Sequence, residues 1–277
     1  MENRKLTVQD ILELKGKRKI TMLTAYDFPL ASLVDKAGID IILIGDSLAN
    51  VVLGLQSTKE VGMAEMIHHS KAVTRAVQHA LVAGDMPYNS YQVKPEDAAK
   101  NARRFIEEAK CDFVKLEWFD KCLEVTGEII KTGIPVMGHI GLTPQTADKI
   151  GGFKVQGKDA EAAKRLIEQA AALEKSGCFS LLLECVPDKI SRIISEKLTI
   201  PTIGIGAGVH CDGQVLVIHD LLGLYERFTP KFVKKYLNLA PQIQKALEEY
   251  RDDVINEKFP GPEHSFAIKE EELQKLK

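Results

Sequence analysis

Short apolar runs that end in glycine or small polar residues recur along the chain. The clearest is Asp40-Ile-Ile-Leu-Ile-Gly-Asp-Ser47, where four apolar residues, three of them β-branched, precede Gly45 and Asp46. A continuous apolar run of this length is typical of a parallel strand buried on both faces. The sequence predicts eight such strands, at 20–25, 40–47, 80–83, 113–117, 135–139, 180–184, 201–208 and 215–218.

Segments with helical spacing separate most of these strands. Thr7 is a predicted N-cap, and Glu96 and Asp97 are acidic residues in a first helical turn. The alternation of strands and helices predicts a (β/α)8 TIM barrel with an N-terminal helix and extra C-terminal helices. We expect one barrel domain over residues 1–266 and a charged tail over 267–277. The predicted helices are 7–15, 29–37, 64–78, 95–109, 123–133, 160–175, 187–198, 231–238 and 241–256.

The connection to the eighth strand fits the barrel poorly. Only six residues separate Gly208 from Val215, which is too few for a crossover helix of the usual length. Either that crossover is a single turn, or residues 215–219 are helical and the eighth strand lies elsewhere. A doubly wound open sheet is the competing architecture.

Composition narrows the class of protein. The 277 residues are 45% hydrophobic and 27% charged, with a formal net charge of -2 and no long basic run, so neither nucleic acid nor a membrane is an expected partner. The N-terminal segment shows no apolar signal core. The five cysteines are scattered and odd in number, which favours reduced thiols and a cytoplasmic location over a disulfide framework.

Acidic residues follow several of the predicted strands. In a barrel these residues converge at one end, although an acid after a strand can also be a simple helix cap. Crowded carboxylates repel one another unless a cation or protons neutralise them, and oxygen ligands without a Cys or His cluster favour Mg²⁺. Asp46 and Asp85 are the best ligand candidates, with Glu117 as a third, direct or through water. The set at strand ends is Asp27, Asp46, Asp85, Glu117, His139, Glu184 and Asp220.

Three further side chains have two interpretations each. Lys115 lies two residues before Glu117 on the same side of a strand, so it either pairs with a carboxylate or binds an anionic substrate. Glu184 follows an apolar run, and burial would raise its pKa toward that of a general base, unless it pairs with a Lys or Arg. His139 either carries a proton or holds a loop by a hydrogen bond.

The same stretches resemble the ketopantoate hydroxymethyltransferase family, over nearly the whole chain. The runs His139-Ile-Gly-Leu-Thr-Pro-Gln145 and Gly151-Gly-Phe-Lys-Val-Gln-Gly157 are long and specific. The shorter matching segments are 24–27, 45–47, 84–85, 114–117, 183–187, 203–208, 212–214 and 262–265.

The resemblance implies an activity and a set of site residues. Its members transfer a one-carbon unit from methylenetetrahydrofolate to 3-methyl-2-oxobutanoate, which gives 2-dehydropantoate, the first step of pantothenate biosynthesis, through a Mg²⁺-stabilised enolate. The resemblance also implies a homodecamer, a pentamer of dimers, with one Mg²⁺ per subunit. By position it assigns the metal ligands Asp46, Asp85 and a water-bridged Glu117, the ketoacid-binding residues Asp46, Ser47, Asp85 and Lys115, and the proton acceptor Glu184. We add His139 to the predicted site as a supporting residue.

The chain departs from the family pattern directly after Glu117. The family commonly has Gly-Gly there, whereas this chain has Trp118-Phe119, so we expect a differently shaped loop at this point. Two other functions remain as hypotheses. One is a different metal-dependent oxoacid aldolase or lyase on the same barrel, and the other is a non-catalytic scaffold.

Overall fold

Eight parallel strands form a closed barrel in the computed structural model, which describes residues 4–276. Each strand pairs with its sequence neighbours, and β1 pairs with β8, which confirms the predicted TIM barrel and excludes the open sheet. The strands are β1 Ile20–Thr24, β2 Ile41–Ile44, β3 Leu81–Asp85, β4 Phe113–Glu117, β5 Val136–Gly141, β6 Ser180–Glu184, β7 Thr202–Ile205 and β8 Gly213–Leu216.

Helices connect most of the strands and agree with the predicted positions within a few residues. Thr7 caps the first helix as predicted, since its side chain accepts a hydrogen bond from Asp10 N. Short 3-10 segments cover Thr58–Glu60, Pro144–Ile150 and Pro262–His264. The α-helices are α1 Val8–Leu14, α2 Phe28–Lys36, α3 Leu48–Val51, α4 Met63–Ala76, α5 Tyr88–Tyr91, α6 Pro95–Glu107, α7 Cys122–Lys131, α8 Ala160–Lys175, α9 Asp188–Lys197, α10 Ile218–Leu222, α11 Leu239–Ile255 and α12 Glu270–Gln274.

The described chain divides into two compact units. The first contains residues 4–219 and 230–233 and holds the barrel, and the second contains 220–229 and 234–276. The expected boundary at residue 266 stays a prediction. Within residues 4–276, every helix is too short or too polar to cross a bilayer.

Alternate residues of the strands fill the barrel interior. Ile20 and Met22 of β1, and Ile41 and Leu43 of β2, belong to one buried cluster with residues from the other strands. Ile11 of α1 is fully buried in the same cluster. The N-terminal helix therefore packs against the interior residues, and the core is continuous from that helix into the barrel.

Three aspartates stand directly before β2, β4 and β8, at the N-terminal end of the barrel. Each accepts a hydrogen bond from a backbone N–H of the preceding strand and pairs with a Lys or Arg. These charge-assisted bonds tie three strand pairs together at that end. The sets are Asp40 with Thr21 N (2.8 Å) and Arg18 (2.7 Å), Asp112 with Val82 N (2.8 Å) and Lys5 (2.7 Å), and Asp212 with Thr202 N (2.9 Å) and Lys15 (2.6 Å).

The connection between β7 and β8 contains no helix in residues 206–212, all of which are described. Gly206 and Gly208 have φ values of 62° and 80°, which let the backbone turn where other residues would be strained. The predicted strand 215–218 is wrong in its bounds, because β8 begins at Gly213 and ends at Leu216. Ile218 is the first residue of α10. The crossover from β7 to β8 is therefore a tight turn without a helix.

The predicted helix over residues 231–238 is wrong. The backbone N–H groups of Tyr236 and Leu237 both donate to Leu221 O, at 2.9 and 3.4 Å. These bonds to a distant residue replace the local bonds that a helix would require. The next helix therefore begins only at Leu239.

We predict that Asp40→Ala lowers the free energy of unfolding by about 2 kcal/mol, because Thr21 N would lose a buried acceptor and Arg18 its partner. Although burial opposes the effect, Arg18 and Thr21 lower the pKa of Asp40. Its stabilisation is therefore complete above the ordinary Asp pKa and is lost as pH falls through the lowered value. Urea unfolding at several pH values measures both effects.

Asp97→Ala is the control, since Asp97 forms an exposed pair with Lys100 on α6. If Asp40→Ala unfolds at the same urea concentration as Asp97→Ala, the proposed role of this aspartate is wrong.

Candidate active site

The polar residues of the site continue the rows of side chains that fill the barrel. Alternate residues of a strand point to the same side, so a residue two positions after a core residue also faces inward. Near the strands' C-terminal ends these inward residues become polar, and we call this end the mouth. The pairs are Ala83 and Asp85, Phe113 and Lys115, Met137 and His139, and Leu182 and Glu184, and Glu117 lies two residues after Lys115.

Strand register brings these side chains together. Asp85 is the register partner of Lys115, and Glu117 is the register partner of His139. Glu184 is the last residue of β6 and pairs with Gly141 at the end of β5. The pairings of β3 with β4, β4 with β5 and β5 with β6 thus place one cation, one imidazole and three carboxylates around the same space.

Asp46 and Ser47 reach the mouth from the turn after β2. A Cβ on Gly45 would lie 2.8 Å from Ser47 Oγ, so a larger residue at this position would displace the Ser47 hydroxyl group. The backbone N–H of Asp46 donates to Asp85 Oδ2 at 3.1 Å. Ser47 Oγ lies 2.8 Å from the hydroxyl of Tyr26. Asp46 and Asp85 are therefore held next to each other, as predicted.

Lys115 forms a buried ion pair with Asp85. Its Nζ donates to Asp85 Oδ1 at 2.8 Å, and both side chains are at least 95% buried. Burial alone would lower the pKa of Lys115, but the carboxylates of Asp85, Glu117 and Asp46 raise it. The lysine therefore stays charged, which favours an electrostatic role over Schiff-base chemistry.

Carboxylates outnumber cations in this cluster. Burial, and next the charge of Asp85, raise the pKa of Asp46 to about 7. Burial also raises the pKa of Glu117 well above its usual value and that of Glu184 to about 8. Lys115 neutralises only one of these carboxylates. The negative charge that remains on the cluster is offset either by protons or by a bound cation.

His139 lies between two of these carboxylates. Its Nε2 is 3.3 Å from Glu184 Oε2, and its Nδ1 is 3.7 Å from Glu117 Oε1. Burial, followed by the charge of Lys115, lowers its pKa well below the usual histidine value, so the ring is neutral. Within the described residues neither ring nitrogen has a hydrogen-bond partner. The neutral ring is thus available to hydrogen-bond a ligand.

Two buried residues at the site were not predicted. Gln145 donates from Nε2 to Asp46 Oδ2 at 2.8 Å, and Tyr91 donates its hydroxyl proton to Gln145 Oε1. Burial and the nearby carboxylates raise the pKa of Tyr91 well above its usual value, so it keeps that proton. The sequence signal was the specific run from His139 to Gln145, but the path of Gln145 back to Asp46 could not be read from spacing.

Two predicted strand-end acids have other positions. Asp27 is exposed and caps α2, where its Oδ1 accepts a hydrogen bond from Leu30 N at 2.8 Å. It therefore has the helix-cap role that the sequence had left as the alternative. Asp220 lies within α10, not at the end of a strand.

The donor atoms of the mouth suit Mg²⁺ shared between the protein and a substrate. In the part of the chain that is described, no group of three or more His, Cys, Asp or Glu could by itself hold a metal ion. Mg²⁺ uses one or two carboxylates and fills its other positions with substrate oxygens and water. Asp46 and Asp85 meet that requirement, and the buried Glu117 Oε1 has no partner among the described residues. Glu117 as a water-bridged member stays a prediction.

Known proteins with similar sequences match almost the entire chain. A family model described as ketopantoate hydroxymethyltransferase matches residues 5–262. The chain is 55% identical over 276 residues to a 3-methyl-2-oxobutanoate hydroxymethyltransferase of Syntrophobacter fumaroxidans, covering 100% of this chain and 98% of that protein. A protein of the same description from Enterococcus faecalis is 54% identical over 258 residues, covering 93% and 94%. The chain belongs to the ketopantoate hydroxymethyltransferase family.

Membership confirms two predictions made from the sequence. The protein is an enzyme, and its class is that of the hydroxymethyltransferases. The scaffold hypothesis is therefore excluded.

Solved structures with the same fold are much less similar in sequence. A phosphoenolpyruvate phosphomutase from Streptomyces platensis subsp. rosaceus has a TM-score of 0.61 and 13% identity, covering 98% of this chain and 94% of that one. A phosphonopyruvate hydrolase in complex with oxalate and Mg++ also has a TM-score of 0.61, with 10% identity over 94% and 93%. At these identities the similarity shows a shared barrel fold alone.

We predict that the metal-free protein loses stability as pH rises because of Glu184. The unfolded chain ionises this residue near pH 4.5, whereas the folded chain keeps the proton until about pH 8. Since the folded state then binds more protons, stability falls between these values. Glu184→Gln should be more stable than the parent by several kcal/mol at pH 8, and this gain should vanish near pH 4.

Urea unfolding of both proteins in a chelator, at pH 4 and pH 8, measures the difference. Glu168→Gln removes one exposed charge from α8 and is the matched control. A gain that is the same at both pH values would contradict the assignment.

Proposed function

We propose that this enzyme transfers a hydroxymethyl group from methylenetetrahydrofolate to 3-methyl-2-oxobutanoate, giving 2-dehydropantoate and tetrahydrofolate. This is the first step of pantothenate biosynthesis. The single observation that carries the proposal is a cluster that combines a charged lysine, adjacent acids and a carboxyl group of raised pKa in a member of this family. One water balances the reaction, because it supplies the hydroxyl group of the product.

Lys115, Asp46, Ser47 and Asp85 are the residues proposed to bind the ketoacid. The Lys115 ammonium is buried and charged, so it attracts the carboxylate of the substrate in surroundings of low dielectric. Ser47 offers a hydroxyl group whose orientation is fixed by Tyr26. Mg²⁺ bound through Asp46 and Asp85, with Glu117 reached through water, would offset the excess negative charge and polarise the 2-oxo group.

Glu184 is the proposed general base. A carboxyl group whose pKa burial raises to about 8 accepts a proton more readily than an exposed one. It would remove the proton from C3 of the ketoacid, and C3 would then form a bond to the methylene carbon of the folate in its iminium form, whose C=N electron pair moves to nitrogen. Water would then replace the folate nitrogen on that carbon, so that the remaining C–N bond breaks and tetrahydrofolate leaves. The neutral Nε2 of His139 lies 3.3 Å from Glu184 Oε2, so His139 is the proposed supporting residue for Glu184.

We further propose a cytoplasmic homodecamer, a pentamer of dimers. What supports an assembly is that each unit exposes large apolar side chains, such as Phe28 (52% exposed) in the first and Phe266 (fully exposed) in the second. Native mass measurement would test the subunit number.

The competing hypothesis is a metal-dependent oxoacid aldolase or lyase. The enzyme is incubated with the ketoacid and Mg²⁺, with and without methylenetetrahydrofolate, and the products are identified by mass. A 2-dehydropantoate signal that requires the folate supports the transferase. Consumption of the ketoacid at the same rate without folate would favour the lyase.

We predict that Glu184→Gln abolishes exchange of the C3 proton of the ketoacid with solvent deuterium and leaves ketoacid binding within about twofold, since the amide keeps the shape but cannot accept the proton. Proton NMR follows the exchange, and calorimetry measures binding. Exchange at the parent rate would reject Glu184 as the base. Glu168→Gln should exchange at the parent rate.

We predict that Asp46→Ala and Asp85→Ala each weaken Mg²⁺ binding and Mg²⁺-supported ketoacid binding together, by at least about tenfold, because each removes one of two neighbouring oxygen ligands. Titration calorimetry with Mg²⁺ alone and with the ketoacid separates the two effects. Asp97→Ala on α6 is the control for loss of a carboxylate. Parent-level binding in both variants would eliminate the proposed metal site.

A further inference from the structure

Gln145 lies in the 3-10 segment after β5 and uses its side chain to hold Asp46. It is fully buried. Its Nε2 donates to Asp46 Oδ2 at 2.8 Å and to Met86 O at 3.1 Å. Both amide hydrogens are therefore used, one on a carboxylate from the turn after β2 and one on the backbone after β3.

The backbone of the same residue holds a second carboxylate. Gln145 N donates to Glu117 Oε2 at 3.1 Å, while Glu117 Oε1 has no partner among the described residues. One residue thus fixes one oxygen of Asp46 and one oxygen of Glu117. Asp46 lies in the turn after β2 and Glu117 lies at the end of β4, so the two carboxylates come from separate parts of the barrel. The contacts with Gln145 hold them in a fixed position relative to each other.

Tyr91 determines which way the amide of Gln145 points. The Tyr91 hydroxyl donates to Gln145 Oε1, and Tyr91 is itself fully buried on α5. If the amide were reversed, its carbonyl oxygen would face the carboxylate of Asp46, and two acceptors would be in contact without a proton between them. The tyrosine donor disfavours that reversed state.

Phe119 packs against Tyr91 from the other side. The two rings are 5.3 Å apart between centroids and nearly perpendicular, at 67°, which is a favourable edge-to-face geometry. Phe119 occupies one of the two positions where the chain departs from Gly-Gly, and a glycine could not make this contact. The series of contacts runs from Phe119 through Tyr91 and Gln145 to Asp46.

We propose that Gln145 is a positioning residue that holds Asp46 and Glu117 for the transfer reaction, and that Tyr91, packed on Phe119, fixes the direction of its amide. This inference rests on the proposed function, since it assigns Asp46 and Glu117 to the site that binds Mg²⁺ and the ketoacid. Neither Gln145 nor Tyr91 needs to touch the substrate for this role.

The test compares Gln145→Met and Tyr91→Phe with the parent enzyme. Methionine keeps the length of the side chain but removes the amide, and phenylalanine removes only the hydroxyl group. Titration calorimetry measures binding of Mg²⁺ alone and of the ketoacid in Mg²⁺. We expect Gln145→Met to weaken both by at least about tenfold and Tyr91→Phe by about fivefold, the size of one net hydrogen bond.

Matched controls lie on α11. Gln244 Nε2 donates to Glu248 Oε1 at 2.9 Å on the exposed surface, so Gln244→Met removes the same kind of amide–carboxylate bond. Tyr250 is 59% exposed, and Tyr250→Phe removes a hydroxyl group from an exposed side chain. Both controls should bind with parent affinity.

Thermal unfolding in a chelator separates positioning from folding. Parent affinity in the folded fraction of both variants, with only a lower unfolding temperature or binding stoichiometry, would overturn the positioning role. Weaker affinity at full stoichiometry supports it. If the parent enzyme bound neither Mg²⁺ nor the ketoacid, the proposed function would fail and this inference with it.

Discussion

The buried pair between Lys115 and Asp85 is the interaction on which the arrangement of the mouth depends. It places a full positive charge where Asp46, Glu117 and Glu184 also converge. A buried pair is costly to form and still more costly to break, because either partner left alone would be an unpaired charge in a low dielectric. Lys115 cannot neutralise the remaining carboxylates as well. Their excess negative charge favours the binding of protons and cations at the site.

The barrel explains why these groups meet at all. The apolar core and the polar mouth occupy the same alternating rows of side chains, so the catalytic candidates are successive members of rows that begin with Phe113, Met137 and Leu182. Site and core therefore share their backbone supports. A strand that moved by one residue would turn both its core residues and its site residues outward.

Much of this could be predicted from the sequence, for identifiable reasons. β4 and β6 have the predicted bounds because each is a mainly apolar segment that ends in an acid, Glu117 or Glu184. The helix predicted over 231–238 fails because Tyr236 and Leu237 bond to Leu221, a contact that local pattern cannot show. Gln145 was missed for the same reason, since its value lies in reaching Asp46, 99 residues away. Asp27 was predicted as a site residue because an acid that follows a strand can be either a site residue or a helix cap. The two cannot be told apart in the sequence, and Asp27 is a cap.

The three aspartates that precede β2, β4 and β8 stabilise one end of the barrel, and the reacting groups lie at the other end. They fasten neighbouring strands at the rim opposite the reacting groups, with bonds that involve no residue of the mouth. The bonds that help to close the barrel therefore do not depend on the loops at the mouth. The loop that carries Trp118 and Phe119 beside the mouth can therefore vary in sequence without removing the bonds that join the strands at the opposite end.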